Sequence, residues 1–172
     1  MKIDRRGQIL DTSFEIVHEH GLEGLHARTV AARIGINHAA VHYYFPKRED
    51  LILALCERLG KRLSDDRATA LESTDRLKGH FQQARAYCSS DSHFVAVWVA
   101  CWEYSKQSLA VHAELVRQLR EWMFTLGLET KKVKSLDAET LVAMFIGVAM
   151  VSHLLGDDFD FRTKLKTVLR TL

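Results

Sequence analysis

Side chains that can bind nucleic acid are concentrated between residues 27 and 45, ARTVAARIGINHAAVHYYF. His38, His42, Tyr43 and Tyr44 can donate hydrogen bonds to phosphate oxygens or to base edges, and two cations follow directly in the chain. Phosphate contacts position a protein on a duplex, whereas contacts to base edges select the sequence. The segment is therefore typical of proteins that bind double-stranded DNA.

Two short helices are needed to position these side chains. The first, over about Arg28 to Ile34, would turn Val30, Ala31 and Ile34 inward. Gly35 permits the positive φ of a tight turn, and Asn37 is a good N-cap for the second helix. In such a helix-turn-helix, the second helix lies in the major groove of DNA. The candidate DNA-binding residues are Arg28, Thr29, Asn37, His38, Ala39, Ala40, His42, Tyr43, Tyr44, Lys47 and Arg48.

The net charge of +2 is too small to attract a polyanion by itself. Residues 1–50 contain seven cationic and seven acidic side chains, so DNA binding requires the cations to cluster on one face. Partial protonation of His26, His38 and His42 would add positive charge there. Tyr43 can face either DNA or the protein interior, and both interpretations stay open.

Composition favours an all-α protein without a metal or an organic cofactor. The 172 residues include nine glycines and one proline, too few turn residues for a many-stranded β fold. Apolar residues at helical spacing predict about nine helices. The three cysteines lack the spacing of a zinc site, and no nucleophile–base or paired-carboxylate motif is recognisable. We therefore expect no enzymatic activity, cofactor or metal.

Two segments of the sequence indicate where in the cell the protein is located. The first residues, MKIDRRGQIL, carry charges where an export signal would be apolar, which favours a cytoplasmic protein. The apolar run from Leu141 to Val151 is shorter than the ~20 residues of a membrane span. We therefore expect no membrane partner.

A more specific pattern is the run from Val41 to Leu51, Val-His-Tyr-Tyr-Phe-Pro-Lys-Arg-Glu-Asp-Leu. It is preceded by Leu10, Phe14 and Gly21, by the sequence Arg-Thr-Val-Ala, and by Gly35 with an isoleucine. In these features, roughly residues 5 to 55 resemble the TetR family of one-component transcriptional regulators. The chain departs from the family pattern in three places: His26 replaces a Ser or Thr cap, His42 replaces a frequent Tyr, and Lys47 replaces a Ser cap.

The resemblance implies an all-α fold with two functional parts. Residues 1–47 would form a three-helix DNA-binding domain, and residues 48–172 a helical domain for ligand binding and dimerisation. Because the family binds its effector inside the carboxyl-terminal bundle, apolar and aromatic residues there could line a pocket or simply form the core. The candidate ligand-binding residues are His80, Tyr87, Phe94, Trp98, Cys101, Trp102, Trp122 and Met144.

The predicted helix from Asp137 to Leu155 is apolar nearly all round and contains small residues suited to close helix packing. A single small domain cannot easily bury every face of such a helix, so we expect a two-fold partner and a four-helix interface. The alternative is a core helix of a monomer. The candidate interface residues are Ala143, Gly147, Val151, Phe161, Leu165 and Val168.

Together these features favour a homodimeric transcriptional regulator, a repressor of a palindromic operator that is released by a small apolar or aromatic effector. The alternative is a helical bundle that binds a small molecule or a protein without binding DNA. That alternative leaves the pattern from Val41 to Leu51 unexplained.

Overall fold

The computed structural model describes residues 4–71, 79, 83, 87, 93–130, 137–155, 160 and 163. Within these residues it contains seven α-helices, one short 3-10 helix and no strand, rather than the expected nine or so helices. Two expected helices, over about 77–88 and 161–172, lie almost entirely outside the described residues. The helices are α1 Arg5–His20, η1 Leu22–Gly24, α2 Ala27–Ile34, α3 His38–Tyr44, α4 Arg48–Leu71, α5 His93–Tyr104, α6 Leu109–Thr130 and α7 Ala138–Leu155.

The first helix begins and ends at residues that satisfy its free backbone groups. The Asp4 carboxylate accepts a hydrogen bond from the Gly7 N–H at 2.9 Å, and the helix stops at Gly21, whose φ is 64°. Leu10 and Val17 are buried, as their spacing predicts. α1 thus provides an apolar surface that contacts α2.

A glycine in the left-handed backbone conformation forms the turn between α2 and α3. Gly35 has φ 67° and ψ 37°, and the Ile36 N–H donates to the Ala31 carbonyl at 3.0 Å. The Asn37 side chain then caps α3 by accepting from the Ala39 N–H at 2.9 Å. The predicted glycine turn and asparagine cap are therefore both present.

α4 begins with a second cap and continues as a buried stripe. The Asp50 carboxylate accepts from the Lys47 N–H at 2.8 Å, an arrangement that stabilises the first turn. Leu51, Leu55 and Leu59 are each at most 3% exposed, which confirms the predicted apolar face of this helix.

The boundaries of α6 and α7 differ slightly from the sequence expectation. α6 continues to Thr130 rather than stopping near Gly127, so the predicted connection from Glu129 to Ser135 begins too early. The Asp137 carboxylate accepts from the Thr140 N–H at 2.7 Å before α7, and this hydrogen bond lowers the pKa of Asp137.

The chain divides into two compact units. The first consists of Met1–Gly60 and Ala96–Leu115, and the second of Lys61–Val95 and Val116–Leu172. In the second unit Leu126, Leu141, Val142 and Phe145 form an apolar core cluster, against which Trp122 packs. Each unit therefore has its own buried side chains.

The turn between α2 and α3 gives the first prediction. Gly35→Ala should lower the free energy of unfolding by about 1 kcal/mol, because an L side chain is strained at positive φ while no atom lies within 4 Å of the added Cβ. Gly35→Asn should lose less, since asparagine tolerates this conformation better. Urea unfolding measures both variants. Equal losses for Ala and Asn would contradict the backbone explanation.

Candidate nucleic-acid interface

The second helix of the helix-turn-helix presents most of its side chains to solvent. Val41 is 1% exposed and anchors α3, whereas Tyr43 is 80% exposed and Tyr44 is 37% exposed. The rings of these two tyrosines meet edge to face with centroids 5.1 Å apart. The open question about Tyr43 is therefore resolved in favour of an outward-facing side chain. The exposed phenol groups can therefore donate hydrogen bonds to a partner outside the subunit.

Six of the eleven predicted DNA-binding residues line one groove, namely Arg28, Thr29, His38, His42, Lys47 and Arg48. The groove has a volume of about 600 Å³ and is bordered by the starts of α2, α3 and α4. Three histidines and three cations line it, and no carboxylate does. These six side chains are those of His26, His38, His42, Arg28, Lys47 and Arg48. A groove with this lining favours a polyanion.

Among the polar residues that line the groove, His26 was not included in the predicted DNA-binding site. It stands at the N-cap position of α2 in an extended conformation, and its side chain makes no capping hydrogen bond. The imidazole is exposed instead. The sequence did contain one indication of this role, because a histidine occupies the N-cap position where a serine or threonine is usual. A side chain that does not cap its own helix can contact a group outside it.

Acidic side chains near the helix-turn-helix are neutralised by partners away from the groove. Glu19 accepts two hydrogen bonds from Arg33, at 2.6 Å and 3.0 Å. This pairing lowers the pKa of Glu19 and raises the pKa of Arg33. Asp11 is likewise paired with Arg58. Arg33 and Arg58 thus form ion pairs with carboxylates, whereas the cations that border the groove are Arg28, Lys47 and Arg48.

Arg48 has a structural role that the sequence did not reveal. Its Nε donates to the Leu25 carbonyl at 3.2 Å, and its Nη2 donates to the Leu22 carbonyl. Arg48 therefore ties the start of α4 to the turn that precedes α2. Its remaining guanidinium N–H groups are available for a phosphate, but replacing this residue would also disturb the turn.

The remaining predicted DNA-binding residues differ in exposure. Asn37 caps α3 as described above, Ala39 is exposed, and Thr29 and Ala40 are half-buried. Small residues at 39 and 40 leave the first turn of α3 free of bulk. Among the described residues, no group of three or more histidine, cysteine, aspartate or glutamate side chains could hold a metal ion.

The predicted ligand-binding residues fall in both compact units. Trp98 and Trp102, whose ring centroids are 5.8 Å apart, belong to the first unit with Cys101, which hydrogen-bonds to Cys56. This bond and burial raise the pKa of Cys101. Trp102 is 48% exposed. The members in the second unit are Tyr87, Phe94, Trp122 and Met144, and His80 lies outside the described residues.

The predicted dimer face is exposed along α7. Ala143, Gly147, Val151 and Leu154 recur at intervals of four, four and three and are all exposed, while Leu141, Val142 and Phe145 in the first half of the helix are buried. No atom lies within 4 Å of a Cβ added at Gly147. The other interface candidates, Phe161, Leu165 and Val168, lie outside the described residues.

The same helix is the one candidate for a membrane span among the described residues. Ala138–Leu155 is 18 residues long and apolar enough to cross a bilayer, by length and composition only. A helix covered by another protein surface has the same length and composition. The bounds of Ala138–Leu155 agree within one residue with the helix predicted from Asp137 to Leu155.

Comparison with known proteins places the helix-turn-helix in a family. Residues 9–55 match the family model of bacterial regulatory proteins, tetR family. The HTH-type transcriptional regulator BetI of Brucella anthropi is 25% identical over 169 residues, covering 90% of this chain and 84% of that protein. The match to the family model spans α2, α3 and the first turns of α4, where the groove is formed.

Solved structures share the fold over nearly the whole chain. A TetR family member from Streptomyces coelicolor has a TM-score of 0.82 at 20% identity and covers 98% of both chains. A transcriptional regulator from Saccharomonospora viridis, solved with choline, has a TM-score of 0.77 at 19% identity and covers 96% of this chain and 95% of its own. Residues 9–55 thus match the DNA-binding segment of the tetR family of bacterial regulatory proteins, and the described helices share the all-α fold of a TetR family member.

Proposed function

We propose that the protein is a homodimeric, cytoplasmic repressor that binds a palindromic operator and is released by a small molecule. Residues 1–47 would bind DNA, and residues 48–172 would bind the effector and form the dimer. The observation that carries the proposal is the groove beside α3, which is lined by three histidines and three cations without a carboxylate.

Base recognition is assigned to the exposed side of α3. His38 and Tyr43 face solvent at opposite ends of this seven-residue helix, and His42 lies one turn after His38. The rings of the two histidines are 6.3 Å apart at 86°, so each presents a different edge. In a dimer the two helices would enter successive major grooves about 34–36 Å apart, which favours a palindromic site.

A hydrogen-bonded link within the first unit supports coupling between ligand and DNA. The Ser108 hydroxyl donates to the Glu49 carboxylate and accepts from the Val111 N–H at 3.2 Å. It thereby joins the first turn of α4 to the first turn of α6. A ligand that moves α6 would pull on α4, whose preceding residues line the groove. A preference of ~1–3 kcal/mol for the released form would weaken operator binding ~5–150-fold.

The structural neighbour solved with choline supports a small-molecule effector, because it holds an organic ligand in the same fold. The alternative function is a helical bundle that binds small molecules or proteins without DNA. A salt titration of binding to random duplex DNA separates the two, since phosphate contacts give a steep loss of affinity with salt. Salt-independent or absent binding would favour the alternative.

Phosphate contact by the groove cations is tested at Arg28 and Lys47. Arg28→Ala and Lys47→Ala should each weaken every duplex alike and reduce the salt slope by about 1, because each removes one phosphate contact. Arg33→Ala is the matched control on the same helix, since Glu19 already neutralises Arg33. Fluorescence anisotropy at several salt concentrations measures the slopes. An equal loss in the Arg33 variant would contradict the assignment.

Sequence selection is tested at the start of α3. His38→Ala should change the preferred operator at one position in each half-site, because a base contact discriminates by ~1–3 kcal/mol. Selection from a randomised duplex library yields the consensus for both proteins. Lys47→Ala serves as the control and should keep the wild-type consensus. Identical consensus sites for wild type and His38→Ala would remove His38 from base recognition.

The dimer face is tested at Gly147. Gly147→Leu should break the dimer by overpacking a close helix contact, while the subunit itself has room for the side chain. Ala113→Leu adds the same bulk at another exposed helical position and should leave the dimer intact. Sedimentation velocity measures the oligomeric state. A dimeric Gly147→Leu protein would exclude this face from the interface.

A further inference from the structure

One arginine in the second unit has a largely buried side chain. Arg67 in α4 is 6% exposed, and it forms no hydrogen bond or ion pair with any other described residue. Burial lowers the pKa of Arg67, since the charged form loses hydration. Arginine is seldom buried to this extent unless it is paired, and the guanidinium nitrogens of Arg67 are not among the fully enclosed polar atoms of the described residues, so the charged head stays accessible to an anionic ligand.

Nearby acidic groups are engaged elsewhere. Glu121 attracts Arg67 electrostatically, but its carboxylate is paired with Arg117. The Asp66 carboxylate accepts a hydrogen bond from the Tyr87 hydroxyl. Burial and this hydrogen bond raise the pKa of Tyr87. Both carboxylates therefore have other donors. Within the described part of the chain, Arg67 is attracted by Glu121 but forms no ion pair with a carboxylate.

An aromatic pair lies in the same unit as this charge. Tyr87 interacts electrostatically with Arg67, and its ring lies 4.3 Å from the ring of Phe94, centroid to centroid. Phe94 is 7% exposed. Arg67, Tyr87 and Phe94 all belong to the second unit. A ligand whose charged end bound the Arg67 guanidinium could place its apolar part against the rings of Tyr87 and Phe94.

We propose that Arg67 anchors the carboxylate of an amphiphilic effector, whose apolar body packs against Tyr87 and Phe94. The guanidinium offers two parallel N–H donors that match the two oxygens of a carboxylate. A neutral ligand would leave the buried charge unpaired, and a cationic ligand would be repelled by it. This inference deepens the proposed function by specifying the charge class of the effector.

Three probes of matched chain length test the charge preference in the full-length wild-type protein. They are decanoate, decanol and decyltrimethylammonium, each kept below the concentration at which it forms micelles. Tryptophan fluorescence titration and thermal melting measure binding. Decanoate should bind at least tenfold more tightly than the other two. Equal or tighter binding of decanol or of the cation would overturn the proposal, as would an absence of decanoate binding.

Variants at Arg67 separate ligand binding from a structural role. Arg67→Met keeps an apolar stem but removes the charge, so decanoate affinity should fall at least tenfold while decanol affinity stays within twofold. The ligand-free Tm should stay equal or rise, because an unpaired buried charge is gone. Arg120→Met, an exposed cation on α6, is the matched control and should bind decanoate like wild type.

Unchanged decanoate binding in Arg67→Met, or a lowered Tm with wild-type binding, would assign Arg67 a structural role and overturn the proposal. If Arg67→Met does not fold, Arg67→Lys replaces it in the same titration. Lysine keeps the charge but loses the paired donors, so decanoate affinity should fall by a smaller factor. Wild-type decanoate affinity in Arg67→Lys would overturn recognition by the guanidinium fork.

Duplex binding distinguishes the failure of this inference from that of the proposed function. Random duplex DNA is titrated in parallel with the three probes. DNA binding without a preference for decanoate overturns the anionic effector and leaves the regulator intact. Tight decanoate binding without DNA binding supports the role of Arg67 and overturns DNA binding instead.

Discussion

The surface formed by the exposed side of α3 depends on one glycine, whose left-handed backbone conformation allows two valines to be buried. Val30 in α2 and Val41 in α3 are at most 1% exposed, and Gly35 lets the chain turn sharply enough for both to be buried at once. With Val41 held inward, the other side of α3 must face solvent, because a helix has only one inward stripe. The exposure of His38, His42 and Tyr43 follows from that geometry.

Electrostatic segregation turns a neutral segment into a basic surface. The first 50 residues carry equal numbers of cations and acids. Ion pairs between Glu19 and Arg33, and between Asp11 and Arg58, engage carboxylates away from the groove. Exposed pairs of this kind contribute little to stability, so their main effect here is on the field around the groove. Binding to DNA thus depends on which charges are already paired.

The two units use arginine in different ways. In the first unit Arg48 braces a turn through backbone carbonyls and still borders the groove. Cations at such an exposed edge are screened by salt. In the second unit Arg67 is buried beside aromatic rings, where screening is weak and a partner must fit closely. An effector bound there would be selected by charge and shape, whereas DNA is attracted over a longer range.

The sequence by itself determined the helix-turn-helix, the cap at Asn37, the stripe from Leu51 to Leu59 and the resemblance of the DNA-binding segment to the TetR family, because these depend on local spacing and backbone preference. Only the tertiary structure decided the outward position of Tyr43, the brace formed by Arg48, the division of the aromatic residues between two units and the burial of Arg67. These features depend on partners 20 or more residues away or on burial, and local periodicity contains no information about either.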